Sequence, residues 1–280
     1  MVSIIILSYN TKDLLKSCLR SIYASLKKLD FEIIVLDNAS SDGSTSMVRR
    51  EFKKVKLVES DKNIGFAKGV NAAERYAKGA YLLFLNSDTL VKDDSIFEMI
   101  RLFDKDERIA VVGGRLENED KTTSESYGAF YDLPGVFRLL FLQNKKREEA
   151  VRSRKEVDWV SGGFMLIKRS VFEEMDGFDE HFFMYMEDME LCYRLKKRNK
   201  TVWYVPDARV VHIGQGSSNR SFAIVQIYKG LLYFYKKHKS HVEYLLVKFM
   251  LVLKGRMSIF VGILTNNSYL RSTYSQALKF

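Results

Sequence analysis

The sequence has little cysteine and lacks the short motifs that mark common nucleotide-binding and hydrolytic sites. Its two cysteines, Cys18 and Cys192, fall where helical periodicity is expected. They predict small core thiols in a reducing compartment, without a disulfide framework or a Cys/His zinc site. The chain also has no P-loop motif, no glycine-rich dinucleotide turn after its first strand and no nucleophile elbow. These absences disfavour P-loop and dinucleotide-dependent enzymes and give no support to a serine hydrolase.

Long apolar runs are also missing. The N-terminal run at residues 4–7 is short and has no basic segment before it, so it does not fit a signal peptide. The longest uncharged stretch of the C-terminal part, residues 257–270, has 14 residues and includes Asn266 and Asn267. It is too short and too polar to span a bilayer. We therefore expect a cytoplasmic protein.

Charge is distributed unevenly along the 280 residues. Residues 209–280 contain eleven Lys/Arg and one acid, Glu243, whereas residues 1–208 contain 34 residues of each sign. The neutral first part, in a chain that is 46% apolar, is typical of an enzyme core. The basic last part predicts contact with an anionic partner.

Apolar runs alternate with helix-periodic segments through the first ninety residues. Buried strands are expected at 2–7, 31–36 and 81–85 and a short strand at 55–58, with helices between them that begin near Thr11, near Ser44 and after Gly65. This alternation predicts an α/β fold with a mostly parallel central sheet flanked by helices. In such sheets ligands bind beyond the carboxyl ends of the strands.

Polar clusters follow three of these strands, namely Ser8-Tyr9-Asn10, Asp37-Asn38 and Asn86-Ser87-Asp88. One such cluster is usually a turn or a helix cap, but three together predict a ligand site. Asn86 and Asp88 offer the hard oxygen ligands that Mg²⁺ or Mn²⁺ prefers, and the imidazole of His212 suits Mn²⁺. Asp37 is suited to accept hydrogen bonds from a base or a ribose.

Residues beyond 115 are less regular until a glycine-rich turn near residue 162. Residues 115–156 include a polar stretch at 115–121 and a densely charged one at 145–155. They predict surface loops and a solvated helix, with an acceptor-facing lid as the alternative. Glu187 and Asp188 open an amphipathic helix, where acids often act only as caps. Asp188 is nevertheless a candidate general base if the fold brings it close to a metal-bound diphosphate.

Seven segments together resemble the inverting glycosyltransferases of family 2, which have the GT-A fold. They follow the family's order between residues 3 and 218: SIIILSYN, EIIVLDNASSDGST, NIGFAKGVN, LLFLNSDTL, WVSGGFMLIKR, GFDEHFFMYMEDMELCYR and VVHIGQGSS. The pattern is similar to the bacterial rhamnosyltransferase-like branch. It implies a GT-A catalytic domain over 1–215, with a nucleotide-binding half to about 114 and an acceptor-side half from about 115. A basic amphipathic helical extension would follow over 216–280.

The resemblance also implies a role for each matching residue. Asp188 would be the catalytic base, with Glu187 beside it, and Asp88 and His212 would hold Mn²⁺ or Mg²⁺. Asn86 stands where the family has the first acid of its Asp-x-Asp motif, a change that this branch tolerates. The substrates would be bound by Ser8, Asn10, Asp37, Asn38, Asp42, Asn63, Gly65, Asn71, Asn86, Ser87, Trp159, Gly162 and Gly163.

The implied reaction moves a sugar, with inversion, from dTDP-rhamnose or a UDP-sugar to a saccharide or lipid-linked saccharide in cell-surface polysaccharide synthesis. Two alternatives stay open. A nucleotidyltransferase of similar fold would need a basic, glycine-rich loop after the first strand, where SYNTKD stands. A non-catalytic nucleotide-sugar-binding module would not need both Asp88 and Asp188.

The basic tail is compatible with two arrangements. Its lysine-edged apolar segments predict helices that lie peripherally on an anionic membrane, at the inner face of the cell membrane. The same helices can instead pack on the catalytic domain or on a second subunit in a homo-oligomer. No nucleic-acid recognition motif accompanies the charge, so a nucleic-acid partner is not expected.

Overall fold

The structure is a computed structural model that describes residues 1–92, 96–124, 126–142, 153–213 and 219–280. Its first part alternates strands and helices as predicted. In chain order these are β1 (Val2–Ser8), α1 (Lys12–Ser25), β2 (Phe31–Asp37), α2 (Ser44–Glu51), β3 (Lys56–Glu59), α3 (Phe66–Glu74) and β4 (Tyr81–Asn86). Strands β1, β2 and β4 form from β-branched and aliphatic runs that are mostly buried on both faces of a sheet, whereas the short strand β3 at the sheet edge is partly exposed.

The second part is less regular. Its elements are β5 (Thr89–Val91), α4 (Ile96–Ile100), β6 (Ile109–Asn118), β7 (Tyr127–Gly128), α5 (Leu133–Phe141), β8 (Lys155–Val157), β9 (Trp159–Val160), β10 (Phe164–Lys168), α6 (Arg169–Glu174), α7 (Glu187–Lys197), β11 (Thr201–His212), α8 (Arg220–His238), α9 (His241–Leu264) and α10 (Ser268–Ala277). Most of the charged segment predicted at 145–155 lies outside the described residues. Residues 115–118, predicted as part of a surface loop, instead end strand β6, where they pair with β11. Residues Leu133–Phe141 form the short helix α5.

The main sheet has nine strands in the order β3-β2-β1-β4-β10-β6-β11-β5, with β8 paired to β11. Strands β1 to β4, β6 and β11 share one direction, while β5, β8 and β10 oppose it. The predicted mostly parallel sheet is therefore confirmed. Strand β10 separates β4 from β6, and this insertion places the glycine turn before β10 beside the carboxyl end of β4.

The sheet and its helices enclose a hydrophobic core. Ile4 and Ile6 of β1 pack with Leu15 and Leu19 of α1, all fully buried. The predicted apolar face of α1 thus covers one side of the sheet. Cys18 is buried on the same helix and Cys192 is buried on α7, as expected of core thiols.

The chain divides into two compact units. The larger consists of Met1–Ala129, Glu148–Phe183 and Asp188–Ser217, and it contains the nine-stranded sheet. The smaller consists of Phe130–Arg147, Met184–Glu187 and Ser218–Phe280, and it contains α5, α8, α9 and α10. Among the described residues, no helix combines the length and the hydropathy needed to cross a membrane. The domain boundary near residue 215 stays a prediction.

Candidate active site

The polar ends of three neighbouring strands lie side by side. Ser8 of β1 is in register with Asp37 of β2, and Leu7 is in register with Asn86 of β4. Hydroxyl groups connect two of these ends: the Thr11 hydroxyl lies 3.1 Å from that of Ser8 and donates to that of Ser87 at 3.0 Å. Thr11 was not among the predicted site residues, because its place before α1 is typical of a helix cap. Its side chain makes no cap bond.

Asp37 has one carboxylate oxygen engaged and one available. Oδ1 accepts a hydrogen bond from the Ser40 backbone N–H at 2.7 Å. Oδ2 is buried and has no hydrogen-bond partner among the described residues. Because a buried polar atom without a partner is costly, this oxygen is well suited to accept an N–H or O–H group of a ligand.

Other predicted site residues form hydrogen bonds between the loops that follow β1 and β2. Asn10 Oδ1 accepts from the Ser41 N–H at 2.8 Å, and Asp42 Oδ2 accepts from the N–H of Lys12 at 2.7 Å. Both contacts join the loop after β1 to the loop after β2. These two side chains therefore shape the loops, whatever else they bind.

Three asparagines fix the backbone around α3. Asn38 donates to the Gly65 carbonyl at 3.3 Å, and Asn63 accepts from the Gly65 N–H at 3.0 Å. Asn71 forms a pair of bonds with Phe178, accepting from its N–H at 2.9 Å and donating to its carbonyl at 2.8 Å. The amide of Asn71 is thus largely used to hold the segment that leads toward α7.

Gly65 occupies a backbone position that only glycine accepts. Its φ is 83° and its ψ is −179°, and a Cβ placed there would lie 2.3 Å from the Phe183 carbonyl oxygen. The N–H of Phe66 donates to that same carbonyl at 2.6 Å. Gly65 therefore permits close contact between the start of α3 and the segment before α7.

Replacing Gly65 by alanine should destabilise the protein by about 3 kcal/mol, because backbone strain adds to the clash with Phe183. Gly43→Ala is the matched control. Gly43 has a φ of 84°, but the nearest atom to its added Cβ is Lys12 Nζ at 3.8 Å. It should cost only about 1 kcal/mol. Urea unfolding of both variants measures the difference, and equal losses would show that the Phe183 contact is unimportant.

The glycine turn before β10 joins the end of β4 to α7. The N–H of Asn86 donates to the Gly163 carbonyl at 3.1 Å, and the N–H of Gly162 donates to Asp188 Oδ2 at 3.0 Å. A Cβ on Gly163 would lie 2.9 Å from Asn86 Nδ2, so a side chain there would displace the amide. Nearby, the Trp159 indole N–H donates to the Ala129 carbonyl at 3.0 Å.

Asp188 lies in the first turn of α7, and its carboxylate is partly withdrawn from water. Burial raises the pKa of Asp188, although the N–H groups of Gly162 and Met189 oppose the shift by donating to the carboxylate. A carboxylate with a raised pKa is a better proton acceptor near neutral pH. Glu187, at the start of the same helix, is buried.

Asp88 lies beside His212 because β5 pairs with β11. This antiparallel pairing sets His212 opposite Thr89, and His212 Nε2 lies 3.3 Å from Asp88 Oδ2. The hydrogen bond to Asp88 raises the pKa of His212. Sequence spacing gives no indication of this contact, since the two residues are far apart in the chain.

The Asp88–His212 pair fits a divalent cation with few protein ligands. Ligands of an octahedral Mg²⁺ at about 2.1 Å lie about 3 Å apart when adjacent, close to the observed separation. The described residues contain no group of three or more His, Cys, Asp and Glu side chains suited to a metal. Such a site would need further oxygen ligands from water or a substrate's phosphates, which is usual for Mg²⁺.

Comparison with known proteins gives consistent matches. The family model described as "Glycosyl transferase family 2" matches residues 3–176. The chain is 30% identical over 234 residues to the rhamnosyltransferase WbbL of Escherichia coli K12, covering 79% of this chain and 86% of that one. It is 27% identical over 210 residues to the N-acetylglucosaminyl-diphospho-decaprenol L-rhamnosyltransferase of Mycobacterium tuberculosis H37Rv, covering 67% and 68%.

A solved structure shares the fold. The mannosyltransferase PcManGT from Pyrobaculum calidifontis, in complex with GDP-Man and Mn²⁺, superposes with a TM-score of 0.59. The match covers 99% of this chain and 83% of that one at 17% sequence identity. The sheet, the helices that flank it and the C-terminal helices therefore follow a known architecture.

Proposed function

The chain belongs to glycosyl transferase family 2 and is a rhamnosyltransferase-like glycosyltransferase with the GT-A fold. From this premise we propose that it moves a sugar, with inversion at the anomeric carbon, from a nucleoside-diphosphate sugar to a hydroxyl of a saccharide or lipid-linked saccharide. The observation that carries the proposal is the link from Asp188 through Gly162 and Gly163 to Asn86, two residues before Asp88. It supports a base and a diphosphate site at one edge of the sheet.

The proposed chemistry is a single in-line displacement. Asp188 accepts the proton of the acceptor hydroxyl, and that oxygen attacks the anomeric carbon. The bond from this carbon to the diphosphate oxygen breaks, and its electron pair leaves with the nucleoside diphosphate. A developing oxocarbenium ion is expected, as in glycoside hydrolysis. One displacement without a covalent enzyme intermediate inverts the configuration.

The nucleotide would bind along the strand ends. Asp37 Oδ2 has the free lone pairs to accept from a base or ribose, and Ser8, Asn10 and Asn38 line the same edge. Asp88 and His212 would hold Mn²⁺ or Mg²⁺, which supplies positive charge opposite the departing diphosphate. Ser87, Asp42, Asn63, Gly65, Asn71 and Trp159 would shape the donor and acceptor pockets.

The donor is proposed to be dTDP-rhamnose, with a UDP-sugar as the second candidate. The relatives named as rhamnosyltransferases support the first choice. We further propose that the protein works in cell-surface polysaccharide synthesis, at the inner face of the cell membrane. The basic residues of the C-terminal extension support a membrane location through their attraction to anionic lipid.

A panel of nucleotide sugars with Mn²⁺ present tests this proposal. A donor at 100 times its Kd should stabilise the protein by about 2.7 kcal/mol, which is readily seen as a rise in Tm. We expect dTDP-rhamnose to give the largest rise and to release dTDP when an acceptor is added. Stabilisation without release would favour the binding module. Diphosphate formation from a nucleoside triphosphate and a sugar phosphate would instead favour the nucleotidyltransferase.

A further inference from the structure

Helix α9 is apolar on two opposite faces. One face is buried and consists of Val247, Leu251, Gly255, Ser258 and Gly262, which recur at intervals of three or four residues. Small residues on it let α10 pack closely. A Cβ added to Gly255 would lie 2.8 Å from Leu278, and one added to Gly262 would lie 3.0 Å from the side chain of Leu270. This packing fixes the rotation of α9 about its axis.

The opposite face of α9 is exposed and mostly apolar, with the exposed Arg256 at its edge. Six residues define what is called the α9 stripe: Val242, Leu246, Phe249, Leu253, Phe260 and Leu264, each at least 40% exposed. At 100° per residue they fall within an arc of about 60° and extend for about 33 Å. Apolar surface this continuous is uncommon on soluble monomers and usually marks an interaction site.

Helix α5 adds to the apolar surface of the same unit. It packs against α9, and the ammonium group of Lys254 lies 5.9 Å from the ring centre of Phe141. Phe137 and Leu142, on and just after α5, are also exposed. The apolar surface of this unit is therefore not confined to a single helix.

Charge identifies the partner. Residues 219–280 contain ten Lys/Arg and one acid, Glu243, a net of +9. A second copy of the chain would bring an equal positive charge against this one, which opposes self-association. Two exposed basic residues lie on one side of the stripe: Arg256 is about 50° from its middle and Lys248 about 130° from it. Their long side chains allow both cationic groups to reach phosphates at the level of lipid headgroups.

We propose that the α9 stripe inserts into the headgroup–acyl boundary of an anionic bilayer, with α9 parallel to the membrane surface. The inference deepens the proposed membrane location by naming the surface that makes the contact. Apolar insertion and attraction between basic residues and anionic headgroups act together on such helices. Binding should therefore need both the stripe and anionic lipid.

Flotation of the full chain with vesicles tests the proposal. The wild type should float with vesicles of phosphatidylcholine and phosphatidylglycerol at low salt, and less with phosphatidylcholine alone. The triple variant Phe249→Ser, Leu253→Ser, Phe260→Ser keeps the charge but should lower the partition coefficient about 10²-fold or more. The matched control, Ser272→Ala, Ser275→Ala, Gln276→Ala, changes three exposed positions on α10 and should bind like the wild type.

A site-specific label gives a second measurement. Cys18 and Cys192 are buried, so a cysteine introduced by Leu246→Cys is the accessible target for an environment-sensitive fluorophore. Its emission should rise and shift to the blue when anionic vesicles are added. The same label on Ser275→Cys should not change.

The proposal is overturned if the wild type stays with the unbound fraction at low salt, or if the stripe variant floats as well as the wild type. If the wild type does not float but forms a concentration-dependent dimer, and the stripe variant does not form it, the stripe binds a second copy of the chain and not a membrane. Flotation needs no sugar donor, so it is independent of the transfer reaction. Failure of the transferase proposal appears as absent donor turnover, and failure of the lipid contact appears only in flotation.

Discussion

Asp188→Asn is expected to lower kcat by about 10²–10⁴-fold, because the variant cannot accept the proton of the acceptor hydroxyl. Donor affinity should stay close to that of the wild type, since Asp188 acts on the acceptor. The measurement combines initial rates at saturating donor with donor binding by thermal shift. Glu174→Gln is the control, because Glu174 is an exposed acid on α6 that pairs with Arg198 away from the strand ends.

The pH dependence of kcat gives an independent view of the same residue. Only ionised Asp188 can act as the base, so kcat should fall as the pH is lowered through its pKa. Because burial raises the pKa of Asp188, this fall should occur above the ordinary aspartate value of about 3.9. The residual activity of Asp188→Asn should lack this acidic limb. An unchanged limb in that variant would assign the ionisation to another group.

Asp88→Asn is expected to lower kcat/KM by about 10²–10³-fold, the usual effect of removing one strong electrostatic contact to a developing negative charge. The amide cannot supply the anionic ligand that a divalent cation requires at this position. The variant should also lose the additional donor affinity that Mn²⁺ confers on the wild type. Isothermal titration with the nucleoside diphosphate, with and without Mn²⁺, measures that affinity directly.

Metal removal from the wild type should have the same effect as the substitution. Excess chelator should abolish transfer, and Mn²⁺ or Mg²⁺ should restore it. Asp104→Asn, which changes an exposed acid outside the site, should behave like the wild type in both assays. Full activity in excess chelator would remove the divalent cation from the mechanism and leave Asp88 with a structural role beside His212.

The sequence was sufficient to predict the alternating first part of the fold. The buried runs that became β1, β2 and β4 and the periodic segment that became α1 each have a local pattern that the structure confirms. Polar residues at the strand ends could also be placed at one edge, because parallel strands bring their carboxyl ends together.

Contacts that depend on strand order could not be predicted from local patterns. Nothing in the segment 164–168 shows that β10 inserts antiparallel between β4 and β6, yet this insertion sets Gly163 against Asn86. The pairing of β5 with β11 likewise depends on a strand of three residues, and it alone brings His212 to Asp88. Long-range pairing of this kind is decided by the whole sheet.

Side-chain partners were equally inaccessible from the sequence. Asn71 and Asp42 were expected to bind the substrates, but the structure shows their side chains bonded to nearby backbone. Thr11, by contrast, looked like a helix cap and proved to bridge Ser8 and Ser87. The positive charge of the C-terminal segment could be counted from the sequence. Which face of α9 is exposed could be determined only from the structure, in which the opposite face packs against α10.

The stereochemistry of transfer tests the central proposal most directly. One base, Asp188, acting opposite a diphosphate held near Asp88 requires that the new glycosidic bond have the anomeric configuration opposite to that of the donor. Proton NMR of the product formed at early times from a donor of known configuration measures this. The account predicts complete inversion. Retention of configuration is incompatible with a single in-line displacement and would contradict the proposed roles of Asp188 and Asp88.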